Sequence, residues 1–120
     1  FNSGKTLERT IESIKNQTWD EKEIILVNDG SSDEKTLEVL KSYKNDSLVN
    51  IINQENKGLA AARNTGVFHS SGNYLFFLDS DDWINLNALE EFYIFFQNNK
   101  NLSYIFSDCS LFPNFLRDCA

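Results

Sequence analysis

The sequence has 120 residues, enough for one domain or part of one, and its hydrophobic fraction of 41% can supply a core. A formal net charge of −7 argues against nucleic acid as a partner, because phosphate backbones attract clustered Lys and Arg. No signal peptide and no apolar run of about 18 residues is visible, so we expect no transmembrane segment. The spacing of Cys109 and Cys119 is not typical of a metal site and predicts reduced thiols.

The first predicted element is an amphipathic helix. Ser3 is a candidate cap for a helix that extends to about Gln17. Leu7, Ile11 and Ile14 recur at helical spacing, so we expect them on one buried face.

A strand and a second helix follow. The β-branched run over 23–28 predicts a buried strand, and the residues after it are typical of a turn. Asp33 is a candidate cap for a helix over 34–44. The inward-facing residues of that helix are predicted to be Leu37, Leu40 and Tyr43.

The alternation continues through the rest of the chain. Strands are predicted over 48–53, 74–78 and 102–106, with helices over 57–70 and 86–98. Residues 111–120 carry no clear pattern. Strands and helices that alternate over short connections predict an α/β fold, with a mostly parallel sheet and flanking helices.

Acidic residues follow two of these strands. Asp29 comes directly after the first strand and Asp79 after the third. In open α/β sheets, ligands bind outside the carboxyl ends of the strands. If both strands belong to one parallel sheet, both acids open onto the same edge, which is a candidate site.

The stretch YLFFLDSDDW, residues 74–83, places three carboxylates within four positions after an apolar run. Such a cluster is unfavourable unless something neutralises it. A helix cap made by Asp79, Asp81 or Asp82 stays open as the structural alternative. A calcium loop is disfavoured, since Trp83 offers no oxygen ligand and Ile84 stands where the sharp turn needs Gly.

Two phosphate-handling alternatives also fit poorly. A phosphatase of the haloacid dehalogenase type would have Thr or Val at the position of Trp83. A response-regulator receiver would have its acidic pair early in the chain. The remaining interpretation is a Mg²⁺ or Mn²⁺ site for a nucleoside diphosphate, because Mg²⁺ takes one or two carboxylates together with substrate phosphates and waters.

Four segments in order resemble the family 2 inverting glycosyltransferases of GT-A fold. They are Asn28-Asp29-Gly30-Ser31-Ser32-Asp33, Asn56-Lys57-Gly58 with Ala62-Arg63-Asn64-Thr65-Gly66, Gly72-Asn73-Tyr74, and Leu78-Asp79-Ser80-Asp81-Asp82-Trp83. The segment 13–19, with Gln17-Thr18-Trp19, also fits. The resemblance extends to about residue 108 and implies a nucleotide-diphospho-sugar transferase, Rossmann-like fold, in which residues 1–120 form a single partial domain.

The resemblance also implies roles for individual residues. Asp29 matches the acid that contacts the nucleotide base, and Arg63 matches an arginine near the base and phosphates. Asp81 and Asp82 match the pair at the ribose and the metal. Asp79 opens the DxD motif as a further metal ligand, and Phe1 corresponds to an aromatic position in the substrate site.

The sequence also departs from the family pattern. The chain starts at Phe1-Asn2, which resembles the end of the family's Pro-x-Tyr-Asn motif, so we expect the fold to lack its first strand. Asn28 replaces a frequent Asp. The family's catalytic base lies in the later acceptor-binding half, which we expect to be lacking as well, and Asp108 is not assigned that role.

The resemblance predicts transfer of a sugar from a nucleotide-diphosphate sugar, a UDP-sugar first, to an acceptor hydroxyl with inversion and with Mn²⁺ or Mg²⁺. The expected acceptor is a carbohydrate or a lipid-linked molecule in cell-surface polysaccharide biosynthesis, and the expected location is cytoplasmic, at the inner face of the membrane. Two alternatives stay open: a non-catalytic nucleotide-sugar-binding fragment and a nucleotidyltransferase.

Overall fold

The computed structural model describes residues 2–105 and, beyond them, only the backbone of two short strands. The chain forms two compact units, Phe1–Ala88 and Leu89–Ala120. The first unit contains helix α1 (Leu7–Lys15), strand β1 (Ile24–Asp29), helix α2 (Glu34–Ser42), strand β2 (Val49–Gln54) and helix α3 (Leu59–His69).

Helix α4 (Ala88–Asn98) begins at the end of the first unit and lies almost wholly in the second. The two short strands of the second unit are β3 (Cys109–Ser110) and β4 (Asp118–Cys119), which pair antiparallel. In the part of the chain that the structure describes, no helix is long and apolar enough to cross a membrane.

Strands β1 and β2 form a parallel pair, and α2 makes the crossover between them. Their register runs from Ile24 opposite Val49 to Asp29 opposite Gln54. Because the strands are parallel, Asp29 and Gln54 both lie at the carboxyl edge of this sheet. The expected α/β class, with a parallel sheet and flanking helices, is confirmed.

The core of the first unit forms where α1 and α2 pack on the sheet. Leu7 and Ile11 of α1 are buried, and Ile14 packs partly against them, as their spacing predicts. The other core residues come from α2, its C-cap and the two strands: Ile24, Val39, Leu40, Tyr43 and Val49.

The prediction for Leu37 is wrong, since 45% of this residue is exposed. The buried residues at α2 are Thr36, Val39, Leu40 and Tyr43, which follow one another at helical spacing. Leu37 lies beside this stripe, one position after Thr36, and therefore turns toward solvent.

Of the two predicted N-cap residues, Asp33 and Ser3, only Asp33 is confirmed. The Asp33 carboxylate accepts a hydrogen bond from the Thr36 N–H at 3.0 Å and caps α2 as predicted. At α1 the N-cap position is Thr6, and no side chain caps it. Ser3 contributes its carbonyl to the Thr6 and Leu7 N–H groups instead, and its hydroxyl lies 2.6 Å from that of Ser80.

The strand predicted over 74–78 is not formed, and its apolar residues are not core. Tyr74, Leu75, Phe76 and Phe77 are between 42% and 54% exposed, and the segment belongs to neither described sheet. Aromatic residues favour strands only where a neighbouring strand and a packing surface are present. The segment 74–78 pairs with neither β1 nor β2, although each of these strands has an open edge in its two-stranded sheet, so its side chains lack that neighbour and packing surface.

The strand predicted over 102–106 is also not formed in its described part. Residues 102–105 are not in a strand, and Tyr104 is 76% exposed. Phe106 lies outside the described residues, as do the side chains of Cys109 and Cys119, so the thiol prediction stays a prediction.

The buried face of α1 generates a stability prediction. Ile11 is 1% exposed, so Ile11→Ala should lower the free energy of unfolding by about 2–5 kcal/mol through lost apolar burial and a cavity. Leu37→Ala removes the same kind of side chain from a half-exposed position and should cost about 1 kcal/mol or less. Urea unfolding of both variants measures this, and equal losses would contradict the assigned core.

Candidate functional site

The Asp29 carboxylate joins three elements at the carboxyl edge of the β1–β2 sheet. Its Oδ1 accepts hydrogen bonds from Gln54 Nε2 at 2.6 Å and from the Lys57 N–H at 2.8 Å. Its Oδ2 accepts from the Gly58 N–H at 2.9 Å. Gly58 is the N-cap residue of α3, so Asp29 at the end of β1 fixes where α3 begins.

These hydrogen bonds also stabilise the charged form of Asp29. The Lys57 N–H, followed by the Gln54 amide and the Gly58 N–H, lowers the pKa of Asp29 below its ordinary value. An ionised carboxylate has about four acceptor positions, and three are used here. Asp29 is 6% exposed, and its Oδ2 accepts one hydrogen bond from the described residues where Oδ1 accepts two.

A close approach of two loops supports this edge. Gly30 has a φ of +71°, a conformation that favours glycine, and a Cβ on it would lie 2.8 Å from the Asn56 nitrogen. The turn after β1 therefore packs directly against the segment that leads into α3. Any larger residue at Gly30 would push apart the two loops that surround Asp29.

Helix α3 carries Arg63 to the acidic cluster. Arg63 Nη2 lies 2.8 Å from Asp79 Oδ1, and the two side chains are 45% and 49% exposed. At this exposure the pair contributes little to folding stability. Its significance is positional, since it brings together two of the residues that the sequence singled out, although they are 16 positions apart.

The acid loop, defined here as residues 79–86, follows a path along α1. The Asp82 N–H donates to the Asp79 carbonyl at 3.0 Å and closes a turn. The Arg9 guanidinium lies 3.3 Å from the centre of the Trp83 ring, a cation–π contact. The Thr18 N–H donates to the Leu86 carbonyl at 2.9 Å, where the loop ends.

The carboxylates of the acid loop repel one another. Desolvation, then the charge of Asp81 and that of Asp79, raises the pKa of Asp82 above its ordinary value. The Arg63 guanidinium lies beside Asp79, whereas the charged form of Asp82 is destabilised by the two neighbouring carboxylates. A divalent cation at Asp81 and Asp82 would relieve this repulsion.

The residues fit a substrate-bridged cation better than a metal held by the protein alone. Among residues 2–105, no three His, Cys, Asp or Glu side chains converge to hold a metal. Mg²⁺ usually keeps one or two carboxylates, with phosphates and water in the other positions. Two carboxylates at Asp81 and Asp82 meet that requirement, and Asp79, paired with Arg63, is the weaker candidate ligand.

The structure describes five of the six predicted site residues and connects them. Asp29 fixes the start of α3, α3 carries Arg63, and Arg63 pairs with Asp79 at the head of the acid loop that holds Asp81 and Asp82. Phe1 lies outside the described residues. The ligand assignments of all six remain predictions.

Sequence reasoning did not find a row of polar side chains, on α1 and beside its two ends, that hydrogen-bond to the acid loop. These residues are Thr6, Thr10, Ser13 and Gln17. Their spacing of four, three and four positions is a signal that could have found them, because it places polar side chains on one helix face.

In open α/β sheets, ligands bind outside the carboxyl ends of the strands, and Asp29 lies at that edge of the β1–β2 pair. The sequence model described as Glycosyl transferase family 2 matches residues 1–111. The chain therefore belongs to glycosyl transferase family 2.

Three curated relatives illustrate the range of proteins that the chain resembles. It is 45% identical over 94 residues to the glycosyltransferase GlyA of Streptococcus pneumoniae, which covers 78% of this chain and 13% of GlyA. It is 42% identical over 94 residues to the cholesterol galactosyltransferase of Borreliella burgdorferi, which covers 78% of this chain and 26% of that protein. It is 38% identical over 104 residues to the poly(ribitol-phosphate) beta-N-acetylglucosaminyltransferase TarP of Staphylococcus aureus, which covers 84% of this chain and 32% of TarP.

The fold matches a solved relative as well. The crystal structure of S. aureus TarS aligns with a TM-score of 0.71 at 29% identity, covering 81% of this chain and 18% of that one. The match confirms the expected GT-A fold class. The chain spans less than a third of the length of each of these proteins.

The Asp29 network generates a pH prediction. Because the folded-state pKa of Asp29 is lowered, its contribution to stability is present above the unfolded value near 3.8 and is lost as the pH falls through the folded value. Asp29→Asn should therefore lower the Tm at pH 7, and its Tm should fall less steeply than that of the wild type below about pH 4. Thermal scans from pH 7 to pH 3 measure the difference.

The exposed acid Glu38 of α2 offers a matched control, since Glu38→Gln makes the same change of charge. It should leave the pH profile of the Tm close to that of the wild type. An Asp29→Asn profile parallel to that of the wild type at every pH would contradict the role given to the charged carboxylate.

Proposed function

We propose that this chain forms the donor-binding part of a glycosyltransferase that transfers a sugar from a nucleotide-diphosphate sugar to an acceptor hydroxyl, with inversion and with Mn²⁺ or Mg²⁺. Family membership supports the reaction class. The observation that carries the proposal is the position of the Arg63 guanidinium beside the carboxylates of the acid loop.

Each residue has a distinct part in this proposal. The unused acceptor position of Asp29 suits an N–H of the nucleotide base. Arg63 suits phosphate oxygens, because its guanidinium can leave the exposed Asp79 carboxylate at little cost. Asp81 and Asp82 would hold the cation, and Phe1 is proposed near the base.

The divalent cation would supply neutralisation of the diphosphate leaving group. The chain's own residues orient the donor and keep the cation close to its diphosphate. The catalytic base is not assigned to any residue of this chain. The inverting course is part of the proposal, and the resemblance of the motifs to the inverting family 2 enzymes supports it.

The relatives bear on substrate choice. Their names refer to different transfers: a galactosyl group to cholesterol in one, and an N-acetylglucosaminyl group to poly(ribitol-phosphate) in another. A further relative is named chondroitin synthase, from Pasteurella multocida, and is 36% identical over 108 residues. Because enzymes with such different acceptors share the aligned region, we assign this region to donor binding. We propose a UDP-sugar as the donor and a carbohydrate or lipid-linked molecule of the cell surface as the acceptor.

Calorimetric titration of the chain with UDP and GDP, and with their sugars, tests donor binding directly. Mn²⁺ should strengthen the binding of the preferred nucleotide by about tenfold or more, because the cation bridges the acid loop and the diphosphate. Asp82→Asn should abolish this gain. The variant removes a repelled charge, so its loss of binding would not result from unfolding.

Glu38→Gln is again the control of equal charge, and it should retain the full effect of Mn²⁺. Binding that is indifferent to Mn²⁺, or a gain that survives in Asp82→Asn, would contradict the cation site. Metal-dependent binding without release of sugar from any donor would support the alternative of a binding fragment.

A further inference from the structure

Four polar side chains form one face of α1 and its flanking residues: Thr6, Thr10, Ser13 and Gln17, called here the polar stripe. We propose that the polar stripe positions the backbone of the acid loop for cation and diphosphate binding, with Thr10 as its central positioning residue. The functional part of this inference rests on the proposed donor site, whereas the structural part does not.

The stripe contacts the loop in chain order. Thr6 Oγ1 lies 3.0 Å from the Ser80 carbonyl, and Thr10 Oγ1 lies 3.0 Å from the same oxygen and 2.6 Å from the Asp82 carbonyl. Further along, Ser13 Oγ accepts from the Ile84 N–H at 3.3 Å, and Gln17 Nε2 donates to the Asn85 carbonyl at 2.6 Å.

Every one of these bonds ends on a main-chain atom of the acid loop. The stripe therefore sets the path of the backbone and leaves the Asp81 and Asp82 carboxylates outside its own bonds. The Thr10 hydroxyl approaches the carbonyls on either side of Asp81. It has one hydrogen to donate, and the short distance to the Asp82 carbonyl makes that oxygen its main acceptor.

Burial distinguishes the stripe from an ordinary solvated helix face. Thr10 is 5% exposed and Gln17 is 4% exposed, although Leu7 and Ile11 already form the apolar face of the same helix. Polar groups at this burial need hydrogen-bond partners. The acid loop supplies those partners, so α1 has two packed faces, one against the core and one against the loop.

The loop needs such a restraint, because three carboxylates within four positions favour any rearrangement that separates them. Hydrogen bonds from a regular helix hold the backbone in one arrangement before a cation arrives. Binding then does not have to order the loop, which strengthens the affinity for the cation and the diphosphate together.

Thr10→Val tests the inference, since valine keeps the branched shape and removes the hydroxyl, and Thr10→Ser restores the hydroxyl. Without ligand, Thr10→Val should speed amide hydrogen exchange in residues 79–86 by about fivefold or more, with β1 and β2 unchanged. Its affinity for UDP with Mn²⁺ should fall by about tenfold, and its affinity for UDP alone should change less. Thr10→Ser should behave like the wild type in both assays.

Ser13→Ala provides a second variant, because alanine suits a helix. The change removes the contact to Ile84 and the hydrogen bond that the Ser13 hydroxyl donates to the Thr10 carbonyl within the helix. It should show the same two effects more weakly. Unchanged exchange in residues 79–86 in both variants, or faster exchange with unchanged Mn²⁺-dependent affinity, would overturn the inference. If the wild type binds no nucleotide with Mn²⁺, the proposed function fails, and the exchange measurement still decides whether the stripe holds the loop.

Discussion

The Asp29 carboxylate is the constraint on which the arrangement of the site depends. It stands at the end of β1 and accepts hydrogen bonds from Gln54 at the end of β2 and from the Lys57 and Gly58 N–H groups at the start of α3. A single buried charge therefore fixes where two strands end and a helix begins. Because α3 starts there, Arg63 lies one turn later, in reach of the acid loop.

The acid loop shows the opposite electrostatic situation. Hydrogen bonds to main-chain N–H groups favour the charged form of Asp29, whereas neighbouring carboxylates and desolvation disfavour that of Asp82. The folded chain holds this unfavourable charge through contacts from α1 and through the guanidinium beside Asp79. The pKa values of Asp29 and Asp82 are thus shifted in opposite directions, and side chains with shifted pKa values cluster at functional sites.

Local patterns predicted the elements whose formation depends on local features. Helical spacing and the Asp33 cap identified α1 and α2, and β-branched runs identified β1 and β2. The strands predicted over 74–78 and 102–106 were wrong in their described parts, because a strand must also pair with a neighbour, and no local pattern shows whether that pairing forms. Even the turn before 74–78 is fixed from a distance, since the Glu23 carboxylate accepts hydrogen bonds from Ser71 and Gly72. The candidate acids could be named from the sequence, but the pairing of Arg63 with Asp79 and the contacts of Thr10 depend on tertiary packing.

A divalent cation and a diphosphate are proposed to meet at the acid loop. The most direct test is the broadening of amide NMR signals by Mn²⁺ in the presence of UDP, because paramagnetic broadening depends on distance from the ion. The chain has 18 Asp and Glu residues, so nonspecific binding is a real alternative. We expect the signals of residues 79–82 to broaden at the lowest Mn²⁺ concentrations, while those around the exposed acids Glu34 and Glu38 of α2 stay sharp. Equal broadening at α2 and at the acid loop, or broadening that UDP does not change, would contradict the proposal.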